Sequence, residues 1–295
     1  MQNRNVGIDV ARAVALVGMM VAHLTYLDGV AVQVFYGFPA ALFAFISGVS
    51  MGYMRARPAQ LIVRGLCLIA LHFALAPFTG QVFVVLGTIG LCMALLAWAP
   101  RWSSPVLLWL ACVLAFASAV LASTATVLIP AFWPYSPLTW GALMIAGMLF
   151  RRHMLSPKLL WLGLVVGLGL FAVDLALRWY TMLPEFFDVG GHTGGLGDII
   201  GSIGASVGIC SLCCLLQRWI GWLAPLGRMP LTIYCIHVLT ADRLAPEWFG
   251  FWISLGGAIL ISYAWLAVCD RGPLETLLRR ITAVFGKDKN EEVRS

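Results

Sequence analysis

Three ionisable residues stand near the start of the chain inside an otherwise unbroken apolar run. They are Asp9, Arg12 and His23 in Gly-Ile-Asp-Val-Ala-Arg-Ala-Val-Ala-Leu-Val-Gly-Met-Met-Val-Ala-His. In an α-helix the eleven steps from Arg12 to His23 return to the same face within about 20°, and the rise sets the two residues about 16 to 17 Å apart along the axis. A ligand lying along such a helix touches both. Imidazole titrates near neutrality and can take a proton from an alcohol or an amine. A guanidinium steadied by a carboxylate three residues earlier can face an anionic or amide-rich ligand. The plainer reading makes Asp9 and Arg12 an ion pair that eases burial of both charges, and His23 a hydrogen-bonded structural imidazole.

A second group lies in Asp188-Val-Gly-Gly-His192-Thr-Gly-Gly-Leu-Gly-Asp198. Its glycines let backbone approach a ligand, and Asp198 can orient an imidazole as a carboxylate partner; the plainer reading is a loop with a helix-capping Asp198. Asp174 and Arg178, four apart, read as a structural pair. His72 and His237 read as packed, hydrogen-bonded residues. Gly48 and Gly52, with Ser47, form a small-residue patch suited to close helix contact in lipid. The eight cysteines fall in apolar segments and offer neither a disulfide framework nor a metal pattern; the Cys210-x-x-Cys213 spacing has no histidine nearby and reads as packing. No metal is expected.

The elements that must hold these residues follow from composition. The chain is 61% hydrophobic and only 11% charged, against about a quarter charged in soluble domains, and its mean hydropathy is +0.92. Lipid is the solvent for most of its side chains, and continuous rather than alternating apolar runs select helices over a barrel. The expected fold is an all-α integral membrane protein, a polytopic bundle of about ten transmembrane helices. Punctuation by charges, Pro and Gly sets the spans near 8 to 26, 36 to 54, 61 to 77, 82 to 98, 105 to 123, 137 to 150, 158 to 177, 197 to 216, 229 to 245 and 250 to 269. The first run carries Asp9 and Arg12 and no small-residue cleavage site follows it, so it reads as a span, not a signal peptide.

With the N-terminus cytoplasmic, the inner loops collect Arg4, Arg55, Arg57, Arg64, Arg101, Arg151, Arg152, Lys158, Arg218, Arg228, Arg271, Arg279, Arg280, Lys287, Lys289 and Arg294. The outer loops keep Arg178 and Arg243. This asymmetry meets the positive-inside rule, puts both termini in the cytoplasm and favours an even number of spans. In this orientation His23, His72, His192 and His237 fall towards the outer side and His153 in a basic inner loop. Residues 1 to 270 form one helical membrane domain, and 271 to 295 a cytoplasmic tail that begins as an amphipathic helix. The net charge of +6 is explained by orientation, and no nucleic-acid partner is expected. A multi-pass place in the plasma (inner) membrane is.

The opening, Gly-Ile-Asp9-Val-Ala-Arg12 with His23 after ten further residues, resembles the Arg-x(10)-His signature of membrane acyltransferases of the acyltransferase-3 type. Phe45-Ile-Ser-Gly48 is similar to the Phe-x-x-Ser-Gly stretch that ends their second span. Gly191-His192-Thr-Gly, Ile200-Gly-Ser-Ile-Gly-Ala, Leu226-Gly-Arg-Met-Pro-Leu-Thr-Ile-Tyr234 and Gly272-Pro-Leu-Glu275 look like the C-terminal half of YeiB-like proteins. These groups belong with heparan-alpha-glucosaminide N-acetyltransferase in one transmembrane acyltransferase superfamily. Between about 60 and 185 the likeness is in hydropathy alone.

The resemblance implies transfer of an acyl group, usually acetyl, from cytoplasmic acyl-CoA to a hydroxyl or amine of an extracytoplasmic glycan or glycolipid. It makes His23 the catalytic base, with Asp198 or His192 positioning or polarising. Asp9, Arg12, Arg55 and Arg228 then face the donor, with Arg57 and Arg64 as further candidates for its phosphates. An extended pantetheine arm is of the order of the Arg12 to His23 rise. A homodimer is compatible with all of this. The rival classes are a transporter or lipid flippase, using the intramembrane Asp, Arg and His as a path, and a scaffold in which the polar groups only lock helices together. No internal repeat supports the transporter.

Overall fold

Burial distinguishes two kinds of apolar helix in this chain. The computed structural model describes residues 5–285 except 55, 81, 126, 154, 155, 181, 245 and 246. Among the described residues are thirteen α-helices and no strand. They are α1 (Val6–Leu24), α2 (Gly29–Phe35), α3 (Phe38–Tyr53), α4 (Pro58–Leu75), α5 (Leu86–Leu95), α6 (Ser104–Ala122), α7 (Pro137–His153), α8 (Pro157–Tyr180), α9 (Leu196–Ile220), α10 (Ala224–Arg228), α11 (Pro230–Thr240), α12 (Trp248–Val268) and α13 (Pro273–Val284). The α1 span is 72% buried inside the protein, whereas those of α6 and α12 are each 17% buried. A helix carrying Asp9, Arg12 and His23 needs protein partners on all sides, so α1 sits at the centre, packed by α3, α9, α10, α11 and α12. Helices apolar all round can face hydrocarbon.

Among the described residues, seven stretches are long and apolar enough to cross a membrane: Val6–Leu24, Gly29–Tyr53, Pro58–Phe78, Ser104–Ala122, Pro157–Trp179, Leu196–Arg228 and Trp248–Val268. The other three expected spans are the shorter helices α5, α7 and α11, with 10, 17 and 11 residues. At 1.5 Å per residue α5 and α11 reach about 15 and 16 Å, roughly half the hydrocarbon thickness. For α5 the cause is visible. α5 is preceded by a non-helical stretch in which Val82, Val84 and Val85 are buried. Its exposed backbone groups are met by side chains: His72 Nδ1 lies 3.0 Å from the Val84 carbonyl, and the Val85 N–H donates to the Tyr234 hydroxyl at 3.0 Å. Irregular backbone is tolerated among apolar helices only under such satisfaction. His72 thus packs and bonds as expected.

Helix contacts tighten where side chains vanish. A Cβ on Gly48 would overlap the Met144 carbonyl and one on Gly147 the Phe45 carbonyl, so α3 and α7 meet backbone to backbone. Gly52 lies against the Arg151 side chain, completing the patch expected on α3. All eight cysteines are free, and Cys214 of α9 fills the space beside Gly7 of α1 as a small apolar side chain.

The amphipathic tail helix is α13. It is pinned to α11 by Glu275, whose Oε1 accepts from the backbone N–H groups of Leu231 (2.7 Å) and Thr232 (3.1 Å) while Oε2 accepts from the Thr232 hydroxyl (2.6 Å). Pro230, at the first helical position, has no N–H, so this one carboxylate meets the next two donors of the α11 start.

Candidate functional site

The last turns of α1 and α11 bring two histidines together. His23 Nδ1 lies 3.0 Å from His237 Nε2, with the rings parallel to within 9° and 5.3 Å between centroids. One nitrogen carries the shared hydrogen and the other accepts it. When His23 Nδ1–H donates, His23 Nε2 is left with a free lone pair, the state a general base requires. In that tautomer His237 orients His23 as a carboxylate does in a catalytic triad; in the opposite one His237 Nε2–H donates and His23 Nε2 carries the hydrogen. Asp242, just beyond α11, lies within electrostatic reach of His23, and His237 Nδ1 is buried with no hydrogen-bond partner. A pocket of about 200 Å³ opens beside the pair between α11 and α12, with Met20 of α1 at its back.

Sequence reasoning placed His237 among packed residues. The pair joins positions 214 apart, and the only trace of it was the grouping of four histidines on one side of the spans. Two of those four meet.

At the opposite end of α1, Arg12 is held on several sides. Its Nη1 lies 2.7 Å from Asp9 Oδ1 and donates at 2.7 Å to the Gly227 carbonyl of α10, and its Nη2 donates to Ser50 Oγ of α3 at 3.1 Å. A Cβ on Gly227 would overlap the Asp9 carbonyl, so α10 can close on α1 only through glycine. The ion pair expected from the i, i+3 spacing is present, and it also ties three helices. The Arg12 side chain keeps 16% exposure. Arg64 of α4 lies within electrostatic reach of Arg12, Arg271 and Glu275. Arg228 donates from Nη2 to the Asp270 carbonyl at 3.2 Å. Arg55 lies outside the described residues.

Asp198 and His192 have other neighbours than His23. Asp198, in the first turn of α9, accepts from the Gly194 N–H (3.1 Å) and from Ser202 Oγ (3.4 Å), and lies 3.8 Å from Arg178 Nη2. It ties the loop residue Gly194 to the first turn of α9, whose N-cap is Gly195 with no side-chain cap bond, so the helix-capping role of the plainer reading is not what it performs. Arg178 also lies 2.8 Å from Asp174 Oδ2 through Nε, with its plane over the Phe38 ring at 4.2 Å and Nη1 donating to the Gln33 carbonyl at 3.1 Å. With 2% of its side chain exposed, this arginine joins two carboxylates and an aromatic face into a buried network. His192 sits in the loop before α9 at φ 66 and meets Tyr135 edge-on, 5.0 Å between centroids. Burial, helped by the Arg178 charge, holds its imidazole down at about 4, so it is neutral at pH 7. Burial likewise pushes the Tyr135 hydroxyl up. The place beside His23 expected for Asp198 or His192 is taken in the structure by His237.

Neither known protein-family models nor curated proteins match this chain.

Proposed function

We propose that this chain is a membrane acyltransferase that moves an acyl group, in the simplest case acetyl, from acyl-CoA at the Arg12 end of α1 to a hydroxyl or amine at the His23 end. The observation that carries the reading is the 3.0 Å contact between His23 and His237 on the same straight helix that bears Arg12. One continuous helix from Val6 to Leu24 preserves the 16 to 17 Å separation of about a pantetheine length. The likeness of the opening and closing motifs to membrane acyltransferases adds to it. In this reading the shorter α5, α7 and α11 complete a bundle of ten spans with both termini cytoplasmic, in a plasma (inner) membrane. The donor then enters from the basic face formed by Arg12, Arg64 and Arg228, and the acceptor is an extracytoplasmic glycan or glycolipid.

The chemistry balances on the two imidazoles. His23 Nε2 takes the proton of the acceptor hydroxyl as its oxygen attacks the thioester carbonyl. The imidazolium is stabilised through Nδ1–H donated to His237 Nε2. On collapse of the tetrahedral intermediate the carbon–sulfur bond breaks and the CoA thiolate takes the proton back from His23 Nε2. An acetyl-histidine on His23 is the covalent variant, and it differs by releasing CoA before acceptor is added.

Purified protein in lipid nanodiscs, given labelled acetyl-CoA and envelope extract, should transfer label, and His23→Ala should not. A second reading, transport, has its own observation in the buried Arg178 with Asp174 and Asp198, the kind of intramembrane charge cluster that lines ion paths. It predicts substrate movement across sealed vesicles without label transfer, abolished by Arg178 and Asp174 variants and not by His23→Ala.

A further inference from the structure

The pocket beside the histidines differs from a socket for a small polar substrate. Its α12 wall is the stripe Ile253, Gly257 and Ile261, spaced four apart on one helix face. Its opposite wall is Ile233 and His237 of α11. Gly257 makes the floor of a trough, since a Cβ there would meet nothing within 4 Å. The trough extends over the eight residues from Ile253 to Ile261, about 12 Å of helix, far more than an acetyl group needs. Ile253 and Ile261 are 48% and 39% exposed, and the stripe is flanked by Phe249, Trp252 and Leu260, which are 74%, 61% and 69% exposed, with Ser254 and Thr240 as the neutral polar residues of the lining. In a helix of crossing length this exposure makes the groove part of the lipid-facing surface. Among the described residues His237 is its only ionisable wall residue, and His237 touches His23.

We infer that this groove seats the hydrocarbon chain of a lipid-borne acceptor, with the acyl-accepting hydroxyl or amine held at the His23–His237 pair. The inference rests on the acyltransferase reading and names its acceptor class. The groove opens sideways to lipid along its length, so its occupant lies in the bilayer. The donor arrives along α1 from Arg12, which is not among the groove's walls. A chain entering between α11 and α12 therefore belongs to the acceptor, not to the acyl-CoA.

Gly257→Phe is the informative variant, because it fills the trough where a Cβ meets no protein atom and replaces a helix-weakening glycine. In nanodiscs doped with a glycolipid carrying a diazirine near the middle of its chain, irradiation should label peptides spanning 230–240 and 253–261 several-fold more than the exposed faces of α6 and α8. Gly257→Phe should remove that excess. With labelled acetyl-CoA, the variant should lower the ratio of dodecyl-glycoside to methyl-glycoside transfer at least tenfold relative to wild type. Uniform labelling of every exposed helix, meaning annular lipid only, overturns the inference. So does an unchanged excess in Gly257→Phe, or displacement of the labelled lipid by a long-chain acyl-CoA, which would give the groove to the donor. If the excess is present and groove-specific but wild type transfers no label, the acyltransferase reading fails and the acceptor role with it, while the lipid site stands.

Discussion

Replacing Glu275 tests how the tail helix governs the position of His237. The carboxylate accepts three hydrogen bonds at the start of α11. With proline first in that helix, Glu275→Ala leaves the Leu231 and Thr232 N–H groups without their acceptor. An unsatisfied buried donor costs about 1 to 3 kcal/mol. The site is partly buried, so water recovers some of this, and loss of a negative charge at a helix N-terminus adds about 0.3 to 1 kcal/mol. We expect a net loss of about 2 to 4 kcal/mol for Glu275→Ala, and about 1 kcal/mol for Glu275→Gln, which keeps an oxygen for the two N–H groups. His237 lies seven residues on, two turns along the same helix, so loosening that start also loosens the histidine contact. Hydrogen exchange with mass spectrometry on peptides covering 230–240, together with thermal melting of the solubilised protein, reads both effects. Exposed Glu185 is the control, and Glu185→Ala should melt as wild type. Unchanged melting and unchanged exchange over 230–240 in Glu275→Ala would refute the clamp.

Three further outcomes follow from particular contacts. Gly147→Leu forces α3 and α7 apart at the Phe45 carbonyl and should prevent recovery of folded protein. Gly256→Ala, whose Cβ meets nothing within 4 Å, should be neutral or stabilising by up to about 1 kcal/mol; equal behaviour of the two on size-exclusion chromatography and melting contradicts the packing account. Arg178→Met strands Asp174 and Asp198 and should destabilise by about 3 to 5 kcal/mol, with Asp174→Asn added in the same chain recovering part of it; a drop in melting temperature no larger than that of a surface variant would count against the network. His192 is held down from 6.5 to about 4, so the unfolded chain takes up a proton that the folded chain refuses. Stability from this residue is full above about pH 6.5 and declines as pH falls towards 4, by up to about 3 kcal/mol. His192→Asn, which suits the positive φ, should flatten melting temperature across that window, and an unaltered slope would contradict the assignment.

Local features were legible in the sequence and distant ones were not. The Asp9–Arg12 and Asp174–Arg178 pairs follow from spacings of three and four on a helix, and both are present. The close contact at Gly48 and the amphipathic tail helix are periodicity and small-residue signals of the same short range. What escaped depends on how the chain folds back. Apolar content alone cannot distinguish a helix from the buried extended residues before α5, because hydrophobicity sets depth, while the Tyr234 and His72 groups that satisfy that backbone come from elsewhere in the chain. The shortness of α11 escaped as well: Pro230 marks where it starts, while the expected span runs on to 245 across Asp242 and Arg243, which the structure places beyond its end. His237 looked like one more packed histidine until α11 was laid against α1, and Glu275 showed no role until α13 was laid against α11.

The central claim is that His23, oriented by His237, takes the acceptor's proton during acyl transfer. The most direct test is the initial rate of label transfer from acetyl-CoA to a dodecyl glycoside in nanodiscs, for wild type and His23→Ala at matched folded concentration. A positioned general base contributes about 10² to 10⁴ in rate. The account predicts a fall of that size in His23→Ala with melting temperature little changed. A wild-type rate in His23→Ala, or no covalent label transferred by either protein, would contradict it.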